Sequence, residues 1–308
     1  MAAASVRRSS LLLVPLLASA LQLRPAVTAP PPRRVLLFVD PCGDTLQTAA
    51  IEALGATVLP INSQATADAM KGREWCDADL ELLAPLGAPG QGDELCWAAK
   101  HLDGLQLEGV LCGSDAGLAD AERLQHVLLP ERSNGLVAAR RDKYLANEAC
   151  EAAGMATAAQ LSPATWAEAE GFVKARCDKG QPTVLKPRRG TASVGVLVAS
   201  SLPEAKEMFD VLSRSAPSID ASELQADRTV LQERLEGDEW IVDTVSCGGV
   251  HKVVALWRYD KGVANGAPFV YFGAELMSSG EAPPDLAAYA CAALDALSWR
   301  WGPAHLEV

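Results

Sequence analysis

The chain has 308 residues, of which 49% are hydrophobic and 21% are charged. This apolar content is enough for about two globular domains and excludes a chain that is disordered over its whole length. The formal net charge of −12 at pH 7 gives a surface field that repels phosphate backbones, so nucleic acid is not an expected partner.

The N-terminal segment has the composition of a targeting presequence. The first 39 residues contain no Asp or Glu, and Arg7 and Arg8 precede an apolar run over residues 11–17 and an Ala-Ser-Ala exit. This run is too short, and too interrupted by Pro15, to span a bilayer, but the order of basic, apolar and small residues is typical of a signal peptide. The basic, Pro-rich stretch that follows is similar to the transit-like half of a bipartite plastid presequence. We therefore predict a presequence over residues 1–32, directed to the secretory pathway or a plastid, with an apolar frayed N-terminus as the alternative.

The eight cysteines are scattered singly along the chain, without a C-x-x-C pair or a histidine at zinc-site spacing. We expect them to be reduced and buried in the core, because free cysteine is among the residue types most often buried. They are Cys42, Cys76, Cys96, Cys112, Cys150, Cys177, Cys247 and Cys291.

A β-α-β pattern follows the presequence. From Arg33 a β-branched and aromatic run ends in turn residues, and a helical pattern to Gly55 and a second strand come next. The turn after the first strand lacks G-x-G-x-x-G, which disfavours a dinucleotide-binding dehydrogenase. A further helix, a strand and a helix over residues 119–129 complete an α/β domain that we place at residues 33–138.

The remaining residues, 139–308, have the element order of an α+β nucleotide-binding module. A helix is predicted before Gly154, and another is predicted with Ser162 as its N-cap and Pro163 at its first position. A hairpin, a helix, a single strand, a long hairpin and a final helix follow. Neither H-E-x-x-H nor G-x-S-x-G occurs, so metalloprotease and α/β-hydrolase interpretations lack support.

The strongest local signal is Lys186, which ends an apolar strand and precedes a Gly- and Ser-bearing loop over residues 188–195. Small residues let backbone N–H groups approach phosphate oxygens, while a lysine on the strand neutralises their charge. Alone, K-P-x-x-G-x-x-S-x-G is equally typical of a hairpin turn with a solvated lysine. The neighbouring blocks favour phosphate binding, because Lys143 lies upstream and Q-E-R-L-E-G-D-E at residues 232–239 lies downstream.

Together these blocks resemble the ATP-grasp superfamily over residues 139–308. The long hairpin and the ending G-P-A-H-L-E are similar to the carboxylate–amine ligase branch that includes L-amino acid ligases. The resemblance implies an α/β pre-ATP-grasp domain followed by an ATP-grasp domain of mixed α+β structure, with a nucleotide site like that of biotin carboxylase. It implies ATP and Mg²⁺ or Mn²⁺ as cofactors.

The resemblance also implies a role for each matching residue. The two lysines contact the nucleotide phosphates, the loop residues cover them, residues 232–235 flank the adenine largely through backbone groups, and Glu239 accepts hydrogen bonds from the ribose hydroxyls. The implied nucleotide-binding residues are Lys143, Lys186, Gly190, Ser193, Gly195, Gln232, Glu233, Leu235 and Glu239. Asp243 lies further along the same strand face as Glu239, where it either lines the site or is an exposed polar residue.

Glu307 matches the first of the two carboxylates that hold the metal in this family. The family's second carboxylate comes further on and the sequence ends at Val308, so the resemblance implies a module that is incomplete at its C-terminus. Without the resemblance, Glu307 would be interpreted as a solvated acid and His305 as a packing residue. Trp257 and Tyr259 are expected to pack within the hairpin.

The first functional hypothesis is an ATP-dependent carboxylate–amine ligase that acts through an acyl phosphate on small-molecule carboxylate and amine substrates of the amino-acid or dipeptide type. No individual catalytic residue is assigned, because this chemistry depends on positioning and charge stabilisation. One alternative is a non-catalytic ATP-binding module or truncated gene product. Another is a carboxylase-type ATP-grasp enzyme, which the G-P-A-H-L-E ending argues against.

Overall fold

The computed structural model describes residues 32–41, 51, 53–70, 86–190, 193–214, 229–265 and 267–308. The predicted presequence, apart from its last residue, lies outside these ranges, as does most of the helix predicted before Gly55. Residues 33–308 form one compact unit, so the predicted boundary at residue 138 stays a prediction. Within the described ranges, every helix is too short or too polar to cross a membrane.

The first sheet is parallel and confirms the α/β start that the sequence predicts. Its strands lie in the order β3-β2-β1-β4, and Leu37, Ile61 and Leu124 are fully buried between the sheet and its helices. The elements are β1 Arg33–Val39, β2 Thr57–Asn62, α1 Gln64–Met70, β3 Leu86–Gly87, α2 Glu94–His101, β4 Leu105–Cys112 and α3 Leu118–Leu128.

The second sheet is antiparallel and has the order β5-β8-β6-β7. Its elements are α4 Lys143–Ala152, β5 Gln160–Leu161, α5 Trp166–Cys177, β6 Thr183–Pro187, β7 Leu197–Ala199, α6 Leu202–Arg214 and β8 Thr229–Glu233. Helices α5 and α6 cover one face, where Val173, Leu185 and Leu231 are completely buried. The strands therefore expose their other face and their ends to the remainder of the molecule.

The structure places the start of α5 later in the chain than the sequence predicts. The helix begins at Trp166 with Thr165 as its N-cap, and not at Pro163. Ser162 instead donates a hydrogen bond from its Oγ to the backbone carbonyl of Thr229, at 3.2 Å. This contact ties the chain to β8, and such a long-range partner is not visible in the local capping pattern.

The third sheet is antiparallel in the order β11-β10-β9-β12. Its elements are β9 Trp240–Cys247, β10 Val250–Ala264, β11 Ala267–Met277, α7 Leu286–Ala296 and β12 Gly302–Glu307. Helix α7 packs on one face through Leu286 and Ala290, which contact the buried Trp240, Val242 and Leu256. The opposite face of β9, β10 and β12 is left to form a site.

The side chain of Asn134 connects the segment after α3 with the turn that leads into β12. Its Oδ1 accepts hydrogen bonds from the backbone N–H groups of Arg300 and Trp301, both at 2.8 Å, and its Nδ2 donates to the carbonyl of Trp301 at 2.9 Å. Three backbone groups therefore depend on one amide, which fixes where β12 starts.

The expectation that the cysteines are buried is wrong for most of those that the structure describes. Cys150 is buried, whereas Cys96 and Cys247 are exposed and the other three described cysteines are intermediate; all six are unpaired. Cys42 and Cys76 lie outside the described residues. Single cysteines on α2 and at the end of β9 follow the polar faces of those elements, which composition alone does not reveal.

We expect Asn134→Ala to lower the free energy of unfolding by about 2–4 kcal/mol, because two backbone donors and one acceptor lose their partner. Urea denaturation followed by circular dichroism measures this change. Gln106→Ala, which removes an exposed amide that bonds Glu108, is the control and should change stability by less than about 0.5 kcal/mol. Equal effects of the two substitutions would contradict the role assigned to Asn134.

Candidate functional site

Two lysine ammonium groups lie close together at the exposed end of the second sheet. Lys143 is the first residue of α4, and Lys186 lies on β6. Burial, followed by the positive charge of Lys143, lowers the pKa of Lys186 to about 8. Burial also lowers the pKa of Lys143, whose Nζ donates to the carbonyl of Gly190 at 2.6 Å. Within the described ranges neither ammonium forms an ion pair, although nearby carboxylates oppose the fall in the pKa of each lysine.

The loop after β6 has the backbone conformations that its glycines predict. Gly190 has a φ of 144°, Ser193 of 58° and Gly195 of 74°. A Cβ on Gly195 would lie 3.1 Å from Cγ of Pro187, so both the backbone angle and the available space require glycine there. The loop therefore turns back into β7 tightly against the end of β6, beside Lys186. Thr191 and Ala192, at its tip, lie outside the described residues.

The carboxylates of Glu239 and Glu307 lie near Lys186, since each opposes the fall in its pKa. Glu307 is opposite Ile241 in the β12–β9 pairing, and Glu239 precedes Ile241 by two positions. Strand side chains alternate between faces, so the two carboxylates are on the same side of the sheet. The structure thus brings together Lys143, Lys186, Glu239 and Glu307, which are separated widely in the sequence.

Tyr259 and Lys261 on β10 complete this group. Tyr259 packs within the hairpin as expected, with its ring centroid 5.5 Å from that of Tyr271 on β11, and it also bonds a residue of β12. The hydroxyl of Tyr259 donates to Oε1 of Glu307 at 2.8 Å, and Nζ of Lys261 is 2.6 Å from Oε1 of Glu239. The Lys261 ammonium also lies 3.8 Å from the centroid of the Tyr259 ring. Burial, and then the hydrogen bond to Glu307, raise the pKa of Tyr259, which favours the protonated hydroxyl that donates to Glu307. Tyr259 and Lys261 are two residues apart on a strand and so share one face, and this spacing is the sequence signal that could have identified them.

Asp243 is held by two side chains on the site face of the third sheet. Its Oδ1 pairs with Nδ1 of His305 and its Oδ2 accepts from Nε1 of Trp257, each at 2.8 Å. His305 and Trp257 therefore act as polar partners and not merely as packing residues. Asp243 itself bonds within the protein, so it lies on the predicted face without being directed at the lysines.

Glu307 is the carboxylate that fits a metal in the described part of the chain. No cluster of three or more His, Cys, Asp or Glu side chains with metal-binding geometry occurs among the described residues. Magnesium is commonly held by one or two carboxylates together with phosphate oxygens and water. Tyr259 bonds one oxygen of Glu307 and the other oxygen is left for such a metal, so the metal-binding role of Glu307 stays a prediction.

Gln232 and Glu233 are on β8, where neighbouring segments hold their side chains. The side-chain amide of Gln232 donates to Gln160 at 3.1 Å, and Oε1 of Glu233 accepts from the backbone N–H of Ala159 at 2.9 Å. Leu235 follows the strand and is 71% exposed. None of these three side chains contacts the lysines in the described structure, so their role beside an adenine stays a prediction.

Known proteins with similar sequences or folds include ligases and a carboxylase domain. The chain is 30% identical over 213 residues to dapdiamide A synthase from Enterobacter agglomerans, covering 68% of this chain and 49% of the synthase. The L-amino acid ligase of Bacillus licheniformis has a TM-score of 0.60 at 19% identity, over 90% of this chain and 63% of the ligase. No protein-family model matches the chain.

The biotin carboxylase domain of Hydrogenobacter thermophilus 2-oxoglutarate carboxylase, solved with MgADP and bicarbonate, has a TM-score of 0.60 at 13% identity. The match covers 90% of this chain and 60% of that domain. The chain thus spans about half the length of the synthase and less than two thirds of each solved protein. These structural likenesses establish a shared fold.

The lowered pKa of Lys186 predicts a stability cost that depends on pH. The unfolded lysine has a pKa of 10.5 and the folded one a pKa of about 8. Between these values the unfolded chain binds more protons, so stability rises with pH through this window, and below it the full cost remains. We expect Lys186→Met to unfold with a free energy about 1–3 kcal/mol higher than wild type at pH 7, and with less pH dependence between pH 8 and 10.

Chemical denaturation at several pH values measures this difference. Lys174→Met is the control, because the Lys174 side chain is 63% exposed in an i, i+4 pair with Asp178. Its stability should stay within about 0.5 kcal/mol of wild type at pH 7. If Lys186→Met is no more stable than this control at pH 7, the burial cost assigned to Lys186 is wrong.

Proposed function

From the ATP-grasp fold, which the sequence resemblance predicts and which this chain shares with its structural neighbours, we propose that the protein is an ATP-dependent carboxylate–amine ligase. The observation that carries the proposal is the pair of Lys143 and Lys186 ammonium groups, which repel each other and have no carboxylate in contact within the described ranges. Such a pair costs stability unless a polyanion binds between the two groups. A nucleotide polyphosphate is the anion that matches this fold.

The proposed nucleotide lies across the end of the second sheet. Its phosphates contact Lys143 and Lys186, and the backbone N–H groups of Gly190, Ser193 and Gly195 approach the phosphate oxygens. Its ribose hydroxyls donate hydrogen bonds to the carboxylate of Glu239, which accepts a hydrogen bond from Lys261 in this structure. The adenine lies by the chain that leaves β8, next to Gln232, Glu233 and Leu235.

Glu307 is the proposed protein ligand of Mg²⁺ or Mn²⁺. When bound, the metal ion neutralises charge on the phosphate oxygens and orients the phosphoryl group that is transferred. Tyr259 keeps the Glu307 carboxylate directed at this position by donating a hydrogen bond to one oxygen. The remaining lone pairs of the carboxylate are then available to the metal.

The proposed chemistry has two steps. A carboxylate oxygen of the first substrate attacks the γ-phosphorus of ATP, ADP leaves, and an acyl phosphate forms. The amine of the second substrate then attacks the acyl carbon, phosphate leaves with the bonding electron pair, and the amine nitrogen loses a proton as the amide forms. Lys143 and Lys186 stabilise the negative charge of the transferring group, and the loop excludes water from the acyl phosphate.

The proposed substrates are amino acids or small peptides. Dapdiamide A synthase and the L-amino acid ligase support this choice by their names and their likeness to this chain. The chain spans about half of the synthase, so the substrate pair belongs to the proposal for the whole protein. A second candidate is a nucleotide-binding module without turnover.

We expect the protein to bind ATP saturably in isothermal titration calorimetry, more tightly with Mg²⁺ than without it. Lys186→Ala and Glu239→Ala should each weaken binding by about tenfold or more, because one removes a phosphate-binding charge and the other a ribose acceptor. Glu170→Ala and Lys174→Ala are the matched controls, since each removes the same charge at an exposed position on α5. A folded sample without ATP binding would exclude the proposed site.

Amino-acid-dependent release of phosphate distinguishes the ligase from the non-catalytic module. We expect ATP and Mg²⁺ with a mixture of amino acids to release phosphate, and expect hydroxylamine, a small nucleophile, to trap the acyl phosphate as a hydroxamate. ATP binding with neither phosphate release nor hydroxamate would favour the module without turnover.

A further inference from the structure

An ion pair joins the elements that carry the two lysines. Nε of Arg188 is 3.0 and 2.9 Å from the two carboxylate oxygens of Asp142, and its second terminal nitrogen is 2.8 Å from Oδ2. Asp142 immediately precedes Lys143, and Arg188 follows Lys186 by two positions. The side chains of the pair are 6% and 17% exposed. It is therefore a largely buried, bidentate contact.

Asp142 is also the N-cap of α4. Its Oδ1 accepts the backbone N–H groups of Tyr144 at 3.0 Å and Leu145 at 3.1 Å. The same carboxylate thus orients the first turn of the helix, on which Lys143 lies, while it bonds the end of β6. A single group sets the position of one lysine relative to the strand of the other.

Further contacts reinforce this junction. The backbone N–H of Lys143 donates to the carbonyl of Arg188 at 2.9 Å, and the Arg188 guanidinium lies 5.3 Å from the centroid of the Tyr144 ring. The Lys143 ammonium reaches forward to the carbonyl of Gly190. Helix α4 and the start of the glycine-bearing loop therefore form one connected unit.

The junction holds two like charges together against their repulsion. Each lysine is within two residues of a member of the ion pair, so a shift of α4 relative to β6 would change the distance between the ammonium groups directly. A buried ion pair is poor evidence for stability, because apolar residues of similar volume often stabilise as well or better. The fixed bidentate geometry of the Asp142–Arg188 pair is therefore more informative about its role than any contribution to stability.

We propose that Asp142 and Arg188 are a positioning pair, which sets the spacing between the Lys143 and Lys186 ammonium groups so that both contact one polyphosphate. This inference rests on the proposed ATP site and goes beyond it, because it assigns both residues a role that acts through the two lysines. The pair acts on the phosphate end of the ligand and not on the adenosine end, which lies by β8 and Glu239.

Nucleotides with different numbers of phosphates test the proposal in calorimetric titrations of the full chain. The variants are Asp142→Asn, which keeps an N-cap side chain, and Arg188→Met, which keeps much of the apolar stem. We expect each to weaken ATP binding by about tenfold, while AMP binding changes by less than about twofold. Arg188→Lys keeps the charge but loses the bidentate geometry, and should fall between Arg188→Met and wild type.

Arg123→Met is the matched control, because it breaks another largely buried arginine pair, with Glu94 on α2 and Asp120 on α3. It should leave the ratio of ATP to AMP affinity unchanged even if it lowers stability. Equal weakening of ATP and AMP in the Asp142 and Arg188 variants, or no weakening of either, would overturn the positioning role. If Arg188→Met does not fold, Arg188→Lys and Asp142→Asn decide the question by the same ratio. Absence of ATP binding in the wild type would instead remove the proposed function itself.

Discussion

The half-buried ammonium groups of Lys143 and Lys186, which lie at one junction at the start of α4 and near the end of β6, are the constraint on which the proposed site depends. Burial lowers the pKa of each ammonium, and Lys186 is lowered further by its neighbour. The folded state can include two half-buried charges when other contacts fix the backbone that carries each of them. Here the cap of α4, the Asp142–Arg188 ion pair and the tight return at Gly195 all act at the same junction.

The acidic residues near the two lysines form hydrogen bonds with other side chains and not ion pairs with the lysines. Glu239 bonds Lys261 and Glu307 bonds Tyr259, so neither carboxylate makes an ion pair with Lys143 or Lys186 in the described structure. They are close enough to favour the charged form of Lys186, which limits the fall in its pKa. The arrangement keeps both ammonium groups available to an anion while the site stays partly charged at neutral pH.

The first sheet contributes to this site through the position of β12. Asn134 holds the backbone of Arg300 and Trp301, and β12 then pairs with β9 so that Glu307 lies on the site face. A shift of one residue in this register would direct Glu307 to the face that α7 covers. The α/β start of the chain therefore influences a residue at its far end through a few hydrogen bonds.

Local patterns in the sequence were enough to predict most of the helices and strands and to single out the two lysines. Lys186 at the end of an apolar strand, the glycines after it and Lys143 at the start of a helix are signals within short stretches, and their order supported the ATP-grasp resemblance.

The tertiary structure decided what depends on contacts distant in sequence. Ser162 bonds Thr229 in place of capping α5, and the exposure of Cys96 and Cys247 follows from which faces pack. Tyr259 and Lys261 join the site because the pairing of β9 with both β10 and β12 brings their side chains within bonding distance of Glu307 and Glu239. Cross-strand pairing and burial are long-range properties, whereas composition and periodicity report on neighbours along the chain.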